Sequence, residues 1–275
     1  MDVTGLCRKS SSIFNQFAGH YGFSVRTEIE VDKLLRCDLE RIISELKPDY
    51  VVNCVGIIKQ YHEVDESSLQ KVNSDFPMLL ASVCSTQQVS LLHFSTDCVF
   101  SGELGGYLEE DIPSPNDAYG MSKLSGERIV SEGAMVFRTS LIGHSLFHSL
   151  SLIDWFLGQS SNEVKGYERA YFSGLPTYVL SKIVSRIIKD GIFESGLFHV
   201  GAHEGISKYK LLNLVNEVYS AGKSVIKEES FFCDRTLNVS RFEKLSGVQY
   251  PDWRELVLDM FLDYQKNEKF YQGAR

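Results

Sequence analysis

The chain has 275 residues, 43% of them hydrophobic and 23% charged, which is enough apolar material for one large core or a core with an attached lobe. Its formal charge of −8 excludes a surface of clustered Lys and Arg built to neutralise nucleic-acid phosphates. No apolar run approaches the ~20 residues that span a bilayer, and the first residues lack the basic start and apolar centre of a secretory signal, so the cytoplasm is the expected location.

Asp2 to Cys7 reads as a short strand, followed by the basic pair Arg8 and Lys9. Ser24 to Val31 alternates with period two, the pattern of a strand with one solvated face. Cys37-Asp38-Leu39 leads into a helix that Pro48 ends, with Asp38 placed to cap it. Tyr50 to Ile58 is a continuous apolar run too short for a capped, buried helix and reads as a central parallel strand, with Lys59 and Gln60 in the loop beyond. Ser67 to Thr86 is helical, and Pro77 is tolerable there only at a kink or near a helix start. Val89 to Phe94 is the next strand and delivers Ser95-Thr96-Asp97.

After a loop bearing Pro113 and Pro115, a helix opens at Tyr119 and runs to Gly133, whose place suits a C-cap. Met135 to Ser140 is a strand, and Leu150 to Gly158 a helix with Trp155 and Phe156 as core. Leu180 to Asp190 carries Ile183, Val184, Ile187 and Ile188 on one face, with Thr177 as its cap. Gly196 to Gly201 is a strand, and Ser207 caps the helix Lys208 to Tyr219. The six cysteines form no C-x-x-C pair and read as buried free thiols. His199 and His203 span a strand end and stand too far apart to share an ion, and His144 with His148 would need a helix and a further ligand, so no structural zinc site is expected.

Tyr119 and Lys123 stand four apart, so a helix puts them on one face. An ammonium beside the phenol favours phenolate and pulls the Tyr below its usual ~10, making it a proton donor usable near neutrality. Thr96, at the carboxyl end of the preceding strand, is placed to hydrogen-bond the same oxygen.

Ser95-Thr96-Asp97-Cys98-Val99-Phe100 followed by Tyr119-Gly120-Met121-Ser122-Lys123 resembles the extended short-chain dehydrogenase/reductase superfamily, in its dTDP-4-dehydrorhamnose reductase-like branch. Asn53 to Gly56, Val72-Asn73 with Pro77, Tyr107 to Asp111, Arg138-Thr139-Ser140, Pro176-Thr177, Gly196 to His199, Asp234-Arg235-Thr236 and Tyr250-Pro251-Asp252-Trp253 extend the likeness along nearly the whole chain. The resemblance implies an α/β fold: a Rossmann-like, doubly wound parallel sheet with a small C-terminal substrate-binding lobe. Residues 1–145 would form the NAD(P)-binding core and residues 146–275 the lobe, with a segment near 180–200 returning to the core.

The implied catalytic trio is Thr96, Tyr119 and Lys123. The implied cofactor, NADP or NAD, would meet Arg8, Lys9, Asp38, Leu39, Asn53, Val55 and Gly56 as well as Tyr119 and Lys123. The implied substrate, a nucleotide-sugar, would meet Thr96, Asp97, Leu141 and Arg235, the last over its diphosphate. Arg8 and Lys9 are equally well read as a solvated pair that touches no 2′-phosphate, and Asp38 as the cap described above. A homodimer stays open, and neither nucleic acid nor membrane insertion is expected.

Relatives open with a strand and a turn of the form G-x-x-G-x-x-G, and no such turn occurs here. In the strand order 3-2-1-4-5-6 that strand is central, so an empty lane is expected between strands two and four. One βα unit would then be lacking at the front, unless the protein has given up cofactor binding. Cys98 stands where related dehydratases carry a second acid, which favours carbonyl reduction over elimination of water. The implied activity is NAD(P)H-dependent reduction of the 4-keto group of a nucleotide-linked deoxysugar for surface polysaccharide. The competing readings are a non-catalytic regulatory subunit of the same fold and a sugar-nucleotide epimerase.

Overall fold

A computed structural model describes the chain except residues 9–11, 28, 59–63, 147–150 and 272–275. Lys9, Lys59, Gln60 and His148, all singled out in the sequence, lie outside the described residues. The first half contains β1 (Thr4–Leu6), α1 (Ser12–Tyr21), β2 (Ser24–Arg26), α2 (Arg36–Leu46), β3 (Tyr50–Asn53), α3 (Glu66–Gln70), α4 (Phe76–Thr86), β4 (Ser90–Phe94), α5 (Ala118–Gly126) and β5 (Met135–Arg138). The second half contains β6 (Leu141–Ile142), α6 (Leu152–Leu157), β7 (Glu163–Tyr167), β8 (Ala170–Phe172), β9 (Leu175–Pro176), α7 (Thr177–Asp190) and β10 (Gly196–His199). It closes with β11 (Ile206–Ser207), α8 (Lys208–Val218), β12 (Ser224–Glu228), β13 (Cys233–Asp234), α9 (Ser240–Ser246) and α10 (Trp253–Tyr271).

The central sheet is four-stranded and parallel, in the order β10-β5-β4-β3. Its middle strands are apolar on both faces because helices cover both. Leu91 and Val136 pack with Leu39 and Ile43 of α2 and Leu80 and Val83 of α4. On the other face Leu92, Met135 and Phe137 pack with Val179, Ile183 and Ile187 of α7 and Phe242 of α9. A separate cluster around Phe156, Phe172, Leu211, Val215 and Met260 builds the lobe of α6, β7, β8, α8 and α10.

β1 and β2 pair in parallel as a two-stranded sheet of their own, and among the described residues no strand pairs with the outer edge of β3. The expected central strand Tyr50–Ile58 is therefore the sheet's edge, only four residues long and half-buried at Tyr50, Val51 and Val52. The alternating run from Ser24 is strand only through Arg26, because a three-residue ladder with β1 is all that pairs with it.

Local chemistry follows the sequence with several corrections. Ser207 caps α8 by accepting from Lys210 N at 3.3 Å, and Gly133 ends its helical segment at φ +89°. Pro77 is the second residue of α4, directly after a π-helical turn at Lys71–Asp75, the helix irregularity that a proline there requires. Asp38 lies in the first turn of α2, not at its cap, and its carboxylate accepts from Leu35 N at 3.1 Å. Thr177 begins α7 without capping it, its hydroxyl donating instead to Ile142 O at 3.3 Å. Cys84 is buried, but Cys37 and Cys54 are exposed. Phe156 is core, whereas Trp155 is 43% exposed.

α5 approaches its neighbours closely through glycine. A Cβ on Gly126 would stand 2.2 Å from Asn73 O, and one on Gly120 2.4 Å from Cys98 O, both rigid backbone atoms. Gly126→Ala is expected to destabilise the fold by about 1–3 kcal/mol through overpacking, in spite of alanine's better helix propensity. Urea unfolding measures this, and an unchanged midpoint would mean that α5 does not need this approach.

Candidate active site

β4 ends at Phe94, and the chain turns through Ser95 and Thr96 into a 3₁₀ turn at Asp97–Val99. Thr96 caps that turn, its Oγ1 accepting from Cys98 N at 3.2 Å. Opposite it, α5 is capped by Asp117, whose Oδ1 accepts from Gly120 N at 2.7 Å, and this fixes the first turn that carries Tyr119. The Tyr119 hydroxyl lies on the Thr96 side of α5, where the Thr96 side chain acts to lower its pKa.

Lys123 departs from expectation. Its Nζ donates to Phe94 O at 2.5 Å and lies on the side of Gly56, where a Cβ would come within 3.7 Å of it. Burial drives its pKa down to about 8, against Glu127 and Cys54, which raise it. The Tyr119 phenol is raised above its ordinary value, chiefly by burial and further by Cys98, Asp97 and Asp117, while Thr96 acts to lower it. The expected lowering by Lys123 is absent because the ammonium faces the end of β4 and the loop after β3.

Asn73 sews that loop to α5, a role the sequence showed only as one letter of a motif. Its Oδ1 accepts from Ile57 N at 2.9 Å, and its Nδ2 donates to Ile57 O and to Ser122 Oγ, both at 3.0 Å. Asn53 folds the strand end, its Oδ1 accepting from Val55 N at 3.1 Å while Nδ2 meets His93 Nδ1 at 2.9 Å. The folded end of β3 and Lys123 are therefore neighbours, and a Cβ on Gly56 would stand 3.4 Å from Asn73 Oδ1 and 3.7 Å from the Lys123 ammonium.

The remaining cofactor candidates are not brought to this place by any contact. Arg8 is exposed beyond β1, and Asp38 is engaged with Leu35 N and Arg41. The Leu39 side chain is turned into the core against α4, so it offers no face to a ligand.

On the opposite side of Thr96, Asp97 is buried and accepts from Thr96 Oγ1 at 3.3 Å, with Cys98, Ser140 and Arg235 nearby. Burial raises its carboxyl, and those four groups oppose the rise. Arg235 donates to Phe100 O at 3.0 Å, and its Nη1 lies 3.4 Å from Cys98 Sγ, so Cys98 serves to seat the guanidinium. Leu141, next to Ser140, is 49% exposed. Thr96, Asp97, Tyr119 and Arg235 thus meet at the carboxyl end of β4, where an open parallel sheet builds its sites.

His203 is exposed and paired with Glu243 at 2.9 Å, and His199 belongs to a buried network behind the site. Among the described residues no group of three or more His, Cys, Asp or Glu is placed to hold a metal ion.

Residues 15–266 match the family described as RmlD substrate binding domain. The Haloferax volcanii protein named "Probable low-salt glycan biosynthesis reductase Agl14" is 39% identical over 241 residues, 78% of each chain. The dTDP-4-dehydrorhamnose reductase of Aggregatibacter actinomycetemcomitans is 26% identical over 244 residues, 78% of this chain and 81% of that one. A crystal structure of dTDP-4-dehydrorhamnose reductase from Bacillus anthracis in complex with NADP superimposes with a TM-score of 0.78 at 18% identity, covering 96% of this chain and 99% of that one. With the Tyr-x-x-x-Lys helix set against a Thr at the end of a parallel strand, and a family match over nearly its whole length, the chain belongs to the RmlD substrate-binding domain family.

Proposed function

We propose that this protein reduces the 4-keto group of a nucleotide-linked deoxysugar, with NADPH or NADH as reductant, in making precursors of surface glycans. The observation that carries the reading is Tyr119 set against Thr96 at the end of β4, with Lys123 one helical turn on and Gly56 beside its ammonium. The likeness to proteins named as sugar-nucleotide and glycan reductases supports it.

A reduced nicotinamide, when bound, supplies the hydride. Lys123 and the bare backbone at Gly56 would hold the adjoining ribose, with Asn53 and Val55 shaping the wall and Asn73 keeping wall and helix together. Thr96 would hydrogen-bond the sugar carbonyl oxygen and Tyr119 would give it a proton, so that the alcohol forms without a free alkoxide. Ribose hydroxyls placed between Lys123 and Tyr119 would bring the ammonium's influence to the phenol, lowering a group that burial alone raises. Arg235, held by Phe100 O and Cys98 Sγ, would face the diphosphate, and Leu141 the sugar. In this reading residues 1–145 hold the cofactor and the lobe beyond holds the sugar nucleotide.

The test is to incubate the protein with a dTDP- or UDP-linked 4-keto-6-deoxysugar and either reduced cofactor, following nicotinamide absorbance and product by mass spectrometry. Cofactor-dependent gain of two hydrogens by the sugar is the expected result. Binding of both ligands without turnover would replace the reading with a non-catalytic role.

A further inference from the structure

Behind the site lies a buried ionic cluster that none of the steps above uses. Glu127 Oε1 accepts from Ser95 Oγ at 2.5 Å and from Arg138 Nε at 2.9 Å, and its Oε2 accepts from Arg138 Nη2 at 2.7 Å. Arg138 Nη1 lies 3.4 Å from His199 Nε2, and its guanidinium stands 5.0 Å from the centre of the Phe100 ring. His199 in turn meets Tyr107 O through Nδ1 at 3.0 Å, and its backbone N–H donates to Glu109 at 2.9 Å.

Three of its members stand next to the site in the chain. Ser95 precedes Thr96, Glu127 follows Lys123 by one turn, and Arg138 precedes Thr139, whose carbonyl accepts from Asp97 N at 3.3 Å. Phe100 lends its carbonyl to Arg235. Segments from four parts of the chain therefore converge on one carboxylate–guanidinium pair. Apolar residues of similar volume would hold such an interior at least as stably, so stability alone does not account for the charges.

We propose that Glu127 is a positioning residue: through the hydrogen bond it accepts from Ser95 it sets where Thr96 holds the reacting oxygen, and from four residues along the same helix it is the counter-charge to Lys123. The Thr96 half rests on the reductase reading, and the Lys123 half does not. The groups that face Lys123 bear on it unequally. Glu127 is the larger of the two influences that oppose the effect of burial, Cys54 of the loop after β3 is the other, and His93 of β4 is held neutral by its own burial.

Two variants and two readouts test this. Glu127→Gln keeps the shape and removes the charge, while Ser95→Ala removes a single hydrogen bond and decides the matter alone if the first variant does not fold. The Lys123 midpoint, followed by NMR of lysine labelled at the side-chain carbons, needs no turnover. It is expected near 8 in the parent protein and lower by about one unit or more in Glu127→Gln. Ser95→Ala is expected to reduce kcat for ketosugar reduction about tenfold with KM for the sugar unchanged. A purely structural cluster would lower thermal stability and leave both quantities alone. An unmoved Lys123 midpoint in Glu127→Gln, or a parental kcat in Ser95→Ala, overturns the proposal. A parent protein that binds the ligands but reduces no ketosugar overturns the reductase reading instead, and the Lys123 titration still judges Glu127.

Discussion

Tyr119→Phe is expected to lower kcat for ketosugar reduction by about 10²- to 10⁴-fold, the usual contribution of a positioned proton donor, and to leave KM for the sugar nearly unchanged. The substitution removes one oxygen from a ring carried on the first turn of α5, beside the 3₁₀ turn that follows Thr96. Asp117 still caps the helix and Gly120 still fits against Cys98 O, so the fold has no reason to shift. Thr96 would keep its bonds to Asp97 and Cys98, and could hold the substrate carbonyl but not protonate it to completion. Steady-state rates beside circular dichroism of both proteins check this. A variant within about threefold of the parent would show that the proton comes from elsewhere, with the buried, raised carboxyl of Asp97 the next candidate.

Much of this site could be read in the sequence because its spacing is local. Four residues on a helix place Tyr119 and Lys123 together, and a strand ending in Thr96 is visible from its apolar run. The direction of Lys123 was not legible, because it depends on the Phe94 carbonyl and on the bare backbone at Gly56, contacts across 29 residues or more. Nothing in the sequence sets Glu109 apart from Glu110 and Asp111, yet it is buried and receives the His199 N–H. Leu39 sits beside Asp38 in sequence but on the core face of α2, as the helical period requires, so proximity to Asp38 was no guide to its side chain. For the fold, the run Tyr50–Ile58 announced a strand correctly, but a run apolar on both faces says nothing about how many neighbours that strand has.

The Arg138–Glu127 pair carries the largest expected effect on stability. Both side chains are nearly inaccessible, at 3% and 7%, and two donors of the guanidinium engage the two carboxylate oxygens in a fork. Arg138→Ala would leave Glu127 buried with only the Ser95 hydroxyl for company, and would open a cavity under Phe100. Breaking such a pair from one side is expected to cost about 3–5 kcal/mol, a large part of the total for a domain of ordinary stability. The double variant Glu127→Gln/Arg138→Met removes both charges and roughly keeps the volume, so most of that loss should return. Urea unfolding of the parent, the single and the double variant separates a cost of the unpaired charge from a cost of the missing side chain. If the double variant is as unstable as Arg138→Ala, the volume and ring contact of the arginine hold the two halves of the site together, and its charge is present for Glu127 alone.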